Sequence, residues 1–287
     1  MVIVENQIHY KRCSNVEDRF IFKAFMDGFS DYMVKFDFTE EDFLKRFFGP
    51  EGNFRDTSFI AFDKDQPVGV VLGGIKTYES IKTMRCGTLA IHPNYRGKKV
   101  SHKLMELHKD EAIKHGCKQL FLEVIVGNDR AINFYKKLGY EKVFDIVYFS
   151  NRNVTQIQQS ETDVSVKRLD ITEFKQGIKN WNYHINWQND LEFIEQILTN
   201  NFYGAFVNGV LTGALSIGTV GNISYLMVDK LERGKGIATQ LLQKAIEDLR
   251  LTKMSTFFPN NSLLEGFFKK KGFVKGSLTQ YEMYMLL

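Results

Sequence analysis

The chain has 287 residues, 44% of them hydrophobic and 25% charged, and its formal net charge is +4, from 38 Lys+Arg against 34 Asp+Glu. The length suits two ordinary domains, the balance is globular rather than disordered, and no contiguous Lys/Arg stripe marks a nucleic-acid footprint. No apolar stretch approaches a membrane span, the opening MVIVENQIHYKR runs opposite to a signal peptide, and Cys13, Cys86 and Cys117 match neither a disulfide framework nor a CxxC metal pair, so a reduced, cytoplasmic protein with no metal, nucleic-acid or membrane partner is expected.

Taken in order, residues 29–43 interleave five acidic residues with aromatics. The acids could attract a cationic amine and the rings stack on it; the Thr39-x-x-Asp42 pattern favours a capped surface helix for most of these charges. Residues 58–62 and 68–72 are β-forming apolar runs split by a hairpin signal at 63–67, and a further strand ends at Ile91. Val100, Leu104 and Leu107 keep helical spacing up to a stop at Gly116. Then come an apolar run over 120–126, a helix from about Asp129 to Leu138 and a closing strand through Tyr148.

The second half repeats this order. Residues 89–101 align without a gap on 226–238, an offset of 137, and residues 134–140 align on 267–273, an offset of 133. Ala61-Phe62 with Val68-Gly69 matches Ala205-Phe206 with Thr212-Gly213 at 144. A period near half the chain means duplication of a whole domain rather than a solenoid. The expected division is 1–151 and 164–287 around a polar linker at 152–163. In the second copy the hairpin cue is Asn208-Gly209, a strand ends at Val228, Ile237, Leu241, Ala245 and Leu249 keep helical spacing, and a closing strand runs through Met285. The fold class is α/β, each copy a mixed, mostly antiparallel sheet flanked by helices.

In both copies a strand runs into Arg-Gly-Lys and then straight into an amphipathic helix. A helix start preceded by small residues offers unpaired N–H groups and the positive end of the dipole to phosphate oxygens, and lysines add point charges. A plain basic turn before a helix is the alternative for either loop taken alone.

At these residues the sequence resembles the GNAT acetyltransferase superfamily. Arg233-Gly234-Lys235-Gly236-Ile237-Ala238 fits its Q/R-x-x-G-x-G/A loop, and Asn128, Ala131, Phe134, Tyr135, Gly139 and Tyr140 fit its downstream signature. The resemblance implies two tandem GNAT (acyl-CoA N-acyltransferase) domains with acetyl-CoA as co-substrate. It places the pyrophosphate on N–H groups of Arg96, Gly97, Lys98, Lys99, Val100 and Ser101, or of Arg233, Gly234, Lys235, Gly236, Ile237 and Ala238. The pantetheine arm would pair with Leu89, Ala90 and Ile91, or with Met227 and Val228, and Asn128 joins the cofactor-binding set.

The copies differ. Lys99 and Ser101 stand where the family has small residues, and Lys99 is costly if its φ is positive. Tyr135 corresponds to Phe268 and Glu123 to Thr256. Acyl transfer to an amine needs a base for the ammonium and a donor for the departing thiolate. The first copy offers Glu123 as base and Tyr135 as acid, a spacing similar to that of N-terminal protein acetyltransferases; the second offers neither. Against these roles, Glu123 could be one polar residue on a half-exposed strand, and Tyr135 core packing beside Phe134. His92 and His184 are read as structural, Lys269-Lys270-Lys271 as a solvated helix face, and Cys86 as a buried small hydrophobe. Residues 181–188 carry both tryptophans, which either line a pocket at the interface between the copies or fill a core. The expected protein is an acetyl-CoA-dependent N-acetyltransferase whose first copy catalyses direct attack of a primary amine on the thioester, acting as a pseudo-dimer of its own domains, monomeric or homodimeric. The alternatives are an active second copy, a non-catalytic CoA-binding regulator, and a scaffold that only binds a partner.

Overall fold

The computed structural model describes residues 8–157, 164–181 and 183–287; the first seven residues of the opening segment and residues 158–163 of the expected linker lie outside these. The chain forms two compact units. Unit 1 comprises Met1–Val124, Asn128–Val143 and Glu282–Leu287, and unit 2 comprises Ile125–Gly127 and Phe144–Tyr281.

Unit 1 holds β1 Ile8–Arg12, α1 Asp18–Gly28, α2 Glu40–Phe47, β2 Phe54–Asp63, β3 Gln66–Tyr78, β4 Ile81–Ile91, α3 Val100–Lys114, β5 Gln119–Ile125 (as far as Val124) and α4 Asp129–Lys137. Strands β1 to β5 lie side by side in chain order, antiparallel except for the parallel pair β4–β5. Alternate residues of the central strands face opposite layers. Ile60, Phe62, Val70, Leu72 and Ala90 bury against Ile21, Ala24 and Phe25 of α1 and Phe43 and Phe47 of α2. With both faces covered, β2 and β3 read as near-continuous apolar runs rather than as alternation. The hairpin between them is tighter than the sequence suggests: Lys64, at φ 52°, and Asp65 make the turn, and Pro67 already belongs to β3, where the register slips between Ala61 and Phe62. Thr39 caps α2, accepting from the Asp42 N–H at 3.1 Å, as its spacing predicts.

Unit 2 holds β6 Glu141–Asn151 (from Phe144), β7 Ser165–Leu169, α5 Ile171–Ile178, α6 Leu191–Ile194, β8 Asn200–Val207, β9 Val210–Gly218, β10 Asn222–Val228, α7 Ile237–Leu249, β11 Met254–Pro259, α8 Ser262–Lys270 and most of β12 Val274–Leu286. Its strands run β6-β11-β10-β9-β8-β7, with β10–β11 the parallel pair. Asn208 and Gly209 both take positive φ, 49° and 78°, the two-residue turn that the Asn-Gly cue predicts. The α7 stripe of Ile237, Leu241 and Ala245 packs on Ala205, Leu215 and Ile217 of the sheet.

Chain order and packing part company at the closing strands. From Ile146 to Asn151, β6 pairs antiparallel with β11 over Pro259–Met254, inside unit 2. The end of β12 instead joins unit 1, where Tyr284 meets Phe121 at 4.9 Å between ring centroids and Leu287 N–H bonds the Lys118 carbonyl. The expected halves 1–151 and 164–287 thus each hand a closing strand to the other. A strand's own pattern of alternation is satisfied equally by either partner, so chain order does not reveal the exchange.

Candidate active site

The two phosphate-type loops have the same backbone. Gly97 and Lys99 lie at φ 76° and 64°, and Gly234 and Gly236 at 80° and 84°. Lys99 and Gly236 are the left-handed residues that start α3 and α7, and neither helix has a side-chain cap. In α7 the Thr239 N–H already bonds the Gly236 carbonyl at 2.9 Å, and an uncapped first turn leaves its earlier N–H groups without a side-chain acceptor. The suspicion about Lys99 is met: a non-glycine residue sits in the left-handed region. Lys99→Gly should stabilise unit 1 by about 0.5–1 kcal/mol, the steric relief less the entropy that glycine adds to the unfolded chain, read as a raised Tm in thermal unfolding.

Both loop arginines turn inward. Arg96 Nε donates to the Ile91 carbonyl and Arg233 Nε to the Val228 carbonyl, each at 3.1 Å. Arg96 also donates to the Gly28 carbonyl at 2.9 Å and pairs with Asp31, holding that carboxyl below its usual range. Arg233 lies against the Tyr183 ring and bonds its hydroxyl. Each arginine fastens its loop to the end of the preceding strand, so its charge is engaged within its own unit. Asp31, one of the acids of residues 29–43, is thus consumed as a loop anchor, while Phe29, Phe36, Phe38 and Phe43 of that segment pack in the unit 1 core.

Each parallel pair forks. β4 and β5 stay in register from Thr83↔Gln119 to Cys86↔Leu122, and β10 and β11 only over Asn222↔Ser255 and Ile223↔Thr256. At the fork the central strand is bulged against its antiparallel neighbour, skipping Gly87 in β4 and Ser224 in β10. A Cβ at Gly87 would meet Asn53 Oδ1 at 2.2 Å, which is why unit 1 has glycine there. Beyond the fork, Leu89, Ala90 and Ile91 pair with β3, and Met227 and Val228 with β9, while their other edge has left β5 or β11. That edge can receive an extended ligand as an added strand.

In unit 1 the candidate base and acid flank the fork from opposite faces. Glu123 is the first residue of β5 past the last pair, and its side chain, 3% exposed, bonds Arg85 at 2.7 Å. Arg85 also bonds Glu51 at 3.0 Å. Burial raises the Glu123 carboxyl to about 7; Arg85 opposes the rise, and Glu282 and Glu51 add to it. The half-exposed reading of Glu123 is therefore corrected: the group is buried in an ion-pair network. Arg85, Glu51 and Glu282 were not foreseen, although an arginine between Met84 and Cys86 in an apolar strand signals a buried counter-charge. Tyr135, on α4 and 8% exposed, stands on the other face, beside Cys86, Tyr140 and Tyr32. Cys86 meets Met105 of α3 at 4.0 Å between sulfurs, and successive strand residues face opposite ways, so Cys86 and Arg85 mark the two faces. Burial raises the Tyr135 phenol well above its ordinary value and keeps it protonated. Cys86 is fully buried, its thiol pushed up to about 12, as expected of a packing residue. Asn128 caps α4 through the Ala131 N–H at 3.3 Å, and Asn261 caps α8 through Leu264 in the same way at 3.1 Å. His92 accepts from the Asn94 N–H, a turn contact.

Unit 2 contains a cavity of about 770 Å³ that runs from its loop, Gly234 to Thr239, to its fork at Ser224. Lys269 and Lys270 are exposed, as a solvated helix face predicts, while Lys270 and the half-buried Lys271 that follows α8 also line the cavity; Lys269 pairs with Glu265. Burial and Lys270 hold the Lys271 ammonium below its usual value. The acid and base positions hold no proton chemistry: Phe268 is packed among Phe149, Phe258 and Phe273, and the Thr256 hydroxyl donates to the Ile223 carbonyl. Of residues 181–188, Trp187 is buried and Trp181 packs against the core cluster, as the core reading has it, while Tyr183, His184 and Asn186 line the cavity. Among the described residues no group of His, Cys, Asp and Glu could hold a metal, and no helix is long and apolar enough to cross a membrane.

Residues 21–140 match a model described as the acetyltransferase (GNAT) family, and residues 170–286 one described as an acetyltransferase (GNAT) domain. An N-alpha-acetyltransferase 30 from Schizosaccharomyces pombe is 33% identical over 85 residues, 29% of this chain and 56% of its own length; one from Dictyostelium discoideum is 26% identical over 101 residues, 35% and 54%. The chain thus spans about half the length of these relatives. In fold it is similar to a GCN5-related N-acetyltransferase from Sphaerobacter thermophilus, with TM-score 0.69 at 12% identity over 97% of this chain and 95% of that one. It is also similar to a tandem GNAT protein from the clavulanic acid biosynthesis pathway, with TM-score 0.67 at 12% identity over 98% of both chains.

Proposed function

The chain belongs to the GNAT acetyltransferase family, with one such domain in each half, and from that premise we propose that it transfers an acetyl group from acetyl-CoA to the primary amine of a small molecule or peptide, with the chemistry in unit 1. The observation that carries this reading is the position of Glu123 and Tyr135 on opposite faces of the β4–β5 fork, set against Thr256 and Phe268 at the matching places of unit 2. An amine and a thioester meeting through a fork approach from opposite faces, so the base belongs on one side and the acid on the other.

The loops fit the cofactor: paired left-handed residues, an uncapped helix start and nearby lysines form an anion cradle, and the bulged edge accepts an extended arm. When bound there, acetyl-CoA supplies an activated acyl group. Glu123, held near neutrality, takes a proton from the incoming ammonium through water; Arg85 keeps the carboxylate oriented. A main-chain N–H freed by the bulge near Gly87 can donate to the developing oxyanion. Tyr135 Oη–H donates to the departing sulfur. The 770 Å³ cavity supports a second, non-catalytic CoA site in unit 2.

Thiol release from acetyl-CoA is measured with polyamines, aminoglycosides and peptides for wild type, Gly97→Val and Gly236→Val. Forcing a branched residue to positive φ costs roughly 1–2 kcal/mol, about tenfold or more in binding. Gly97→Val should lower kcat/KM for acetyl-CoA by that factor, and Gly236→Val should weaken one of two CoA-binding equivalents by the same factor and leave kcat/KM unchanged. The reverse pattern moves the chemistry to unit 2, and CoA binding without transfer to any amine overturns catalysis.

A further inference from the structure

The unit 2 fork holds two asparagines that the proposed chemistry does not use. Asn189, in the 3-10 turn Trp187–Asn189, donates from Nδ2 to the Phe257 carbonyl at 2.7 Å and to Asn186 Oδ1 at 2.9 Å. A carbonyl only accepts, so this relay fixes the amide orientations: Asn189 turns its nitrogen to Phe257, and Asn186 must turn its oxygen to Asn189. The atom left over is Asn186 Nδ2, a donor with no hydrogen-bond partner on a fully buried residue. An unsatisfied buried donor is costly and needs an explanation.

Its position supplies one. Asn186 lines the cavity. Phe257 is the first residue of β11 past the last β10–β11 pair, and Ser224 is the bulge residue of β10. β10 runs from this fork toward the loop at Gly234 and Gly236. A ligand with its phosphates on the loop and its arm along β10 therefore ends beside Asn186. We propose that Asn186 Nδ2 donates to a ligand carbonyl oxygen, that of the thioester of acetyl-CoA, so that unit 2 binds the acetylated form in preference to free CoA and does not turn it over. This rests on the reading that the loop takes the pyrophosphate. Free CoA ends in a thiol, a weak acceptor that leaves the donor unpaired. With Phe268 and Thr256 at the acid and base positions, the bound thioester persists.

Calorimetry on the full chain compares acetyl-CoA, CoA and S-ethyl-CoA, which keeps the arm and lacks the carbonyl. A Gly97→Val background weakens the unit 1 loop and isolates unit 2. Acetyl-CoA should bind about tenfold more tightly than S-ethyl-CoA, the worth of pairing one buried donor. Adding Asn186→Leu should bring the ratio to about one with S-ethyl-CoA affinity kept, which also shows the cavity intact. A ratio near one in the Gly97→Val chain overturns the proposal without any Asn186 variant, as does a ratio that Asn186→Leu leaves unchanged. If Asn186→Leu instead raises KM for the amine while the ratio stays fixed, the carbonyl belongs to the acceptor molecule and the proposal is overturned. Failure of all three ligands to bind defeats the loop reading itself, a result distinct from binding without preference.

Discussion

Tyr135→Phe is expected to lower kcat by about 10²-fold, the lower end of what a positioned acid contributes. The lower end applies because a thiolate is already a fair leaving group, its thiol titrating near ~8.5. The substitution deletes one oxygen from a ring held by Phe134 and Tyr140, and among the described residues that oxygen makes no hydrogen bond. Fold and Tm should therefore change little, and KM for acetyl-CoA should stay within about twofold, since a donor needed only as the sulfur departs does not act in the ground state. Steady-state kinetics with the best amine of the panel measure both. Unchanged kcat would mean that Tyr135 is a packing residue.

Glu123→Gln is the larger effect, expected at about 10³-fold in kcat/KM near neutral pH. Wild-type kcat/KM should rise with pH on a limb centred near 7, the value to which burial lifts the carboxyl, because only the ionised form takes a proton. The glutamine chain lacks that limb. Glu282→Gln gives the sign a second test: removing a negative neighbour lets Glu123 ionise more easily, so the limb moves to lower pH. Stability follows the same group. Its folded value of about 7 lies above an unfolded value near ~4.3. Between these the folded chain holds a proton that the unfolded chain has lost, so this carboxyl makes stability fall as pH rises through that window. Urea titrations from pH 4 to 8 should show a flatter profile for Glu123→Gln. A wild-type activity profile flat from pH 5.5 to 8, or identical for the glutamine chain, removes Glu123 as the base.

The duplication, the two Arg-Gly-Lys turns and the α4 signature were legible because each rests on local backbone demands. Gly97, Gly234 and Gly236 supply positive φ where a loop must turn into a helix, and Asn128 and Asn261 cap the next helix through their own side chains. Such requirements act within a few residues and leave a readable spacing. The acid and base candidates were legible only as positions in a motif; the burial of Glu123 was not, since nothing near residue 123 announces Glu51, Arg85 and Glu282, which come from distant segments. That Lys270 and Lys271 also border a cavity was not legible, because a helix end does not show, in sequence, what packs beyond it.

By itself, then, the sequence determined that the chain is two copies of one α/β domain, each with an Arg-Gly-Lys turn into a helix, and that only the first keeps an ionisable pair at residues 123 and 135. The tertiary structure decided the rest. It spent Arg96 and Arg233 on fastening their loops, gave β6 to unit 2 and the end of β12 to unit 1, and left Asn186 with a donor at the fork. The physical reason is one of range. Turn conformations and caps are set by neighbours along the chain, whereas strand partners, buried counter-charges and unpaired donors depend on what packing brings from elsewhere.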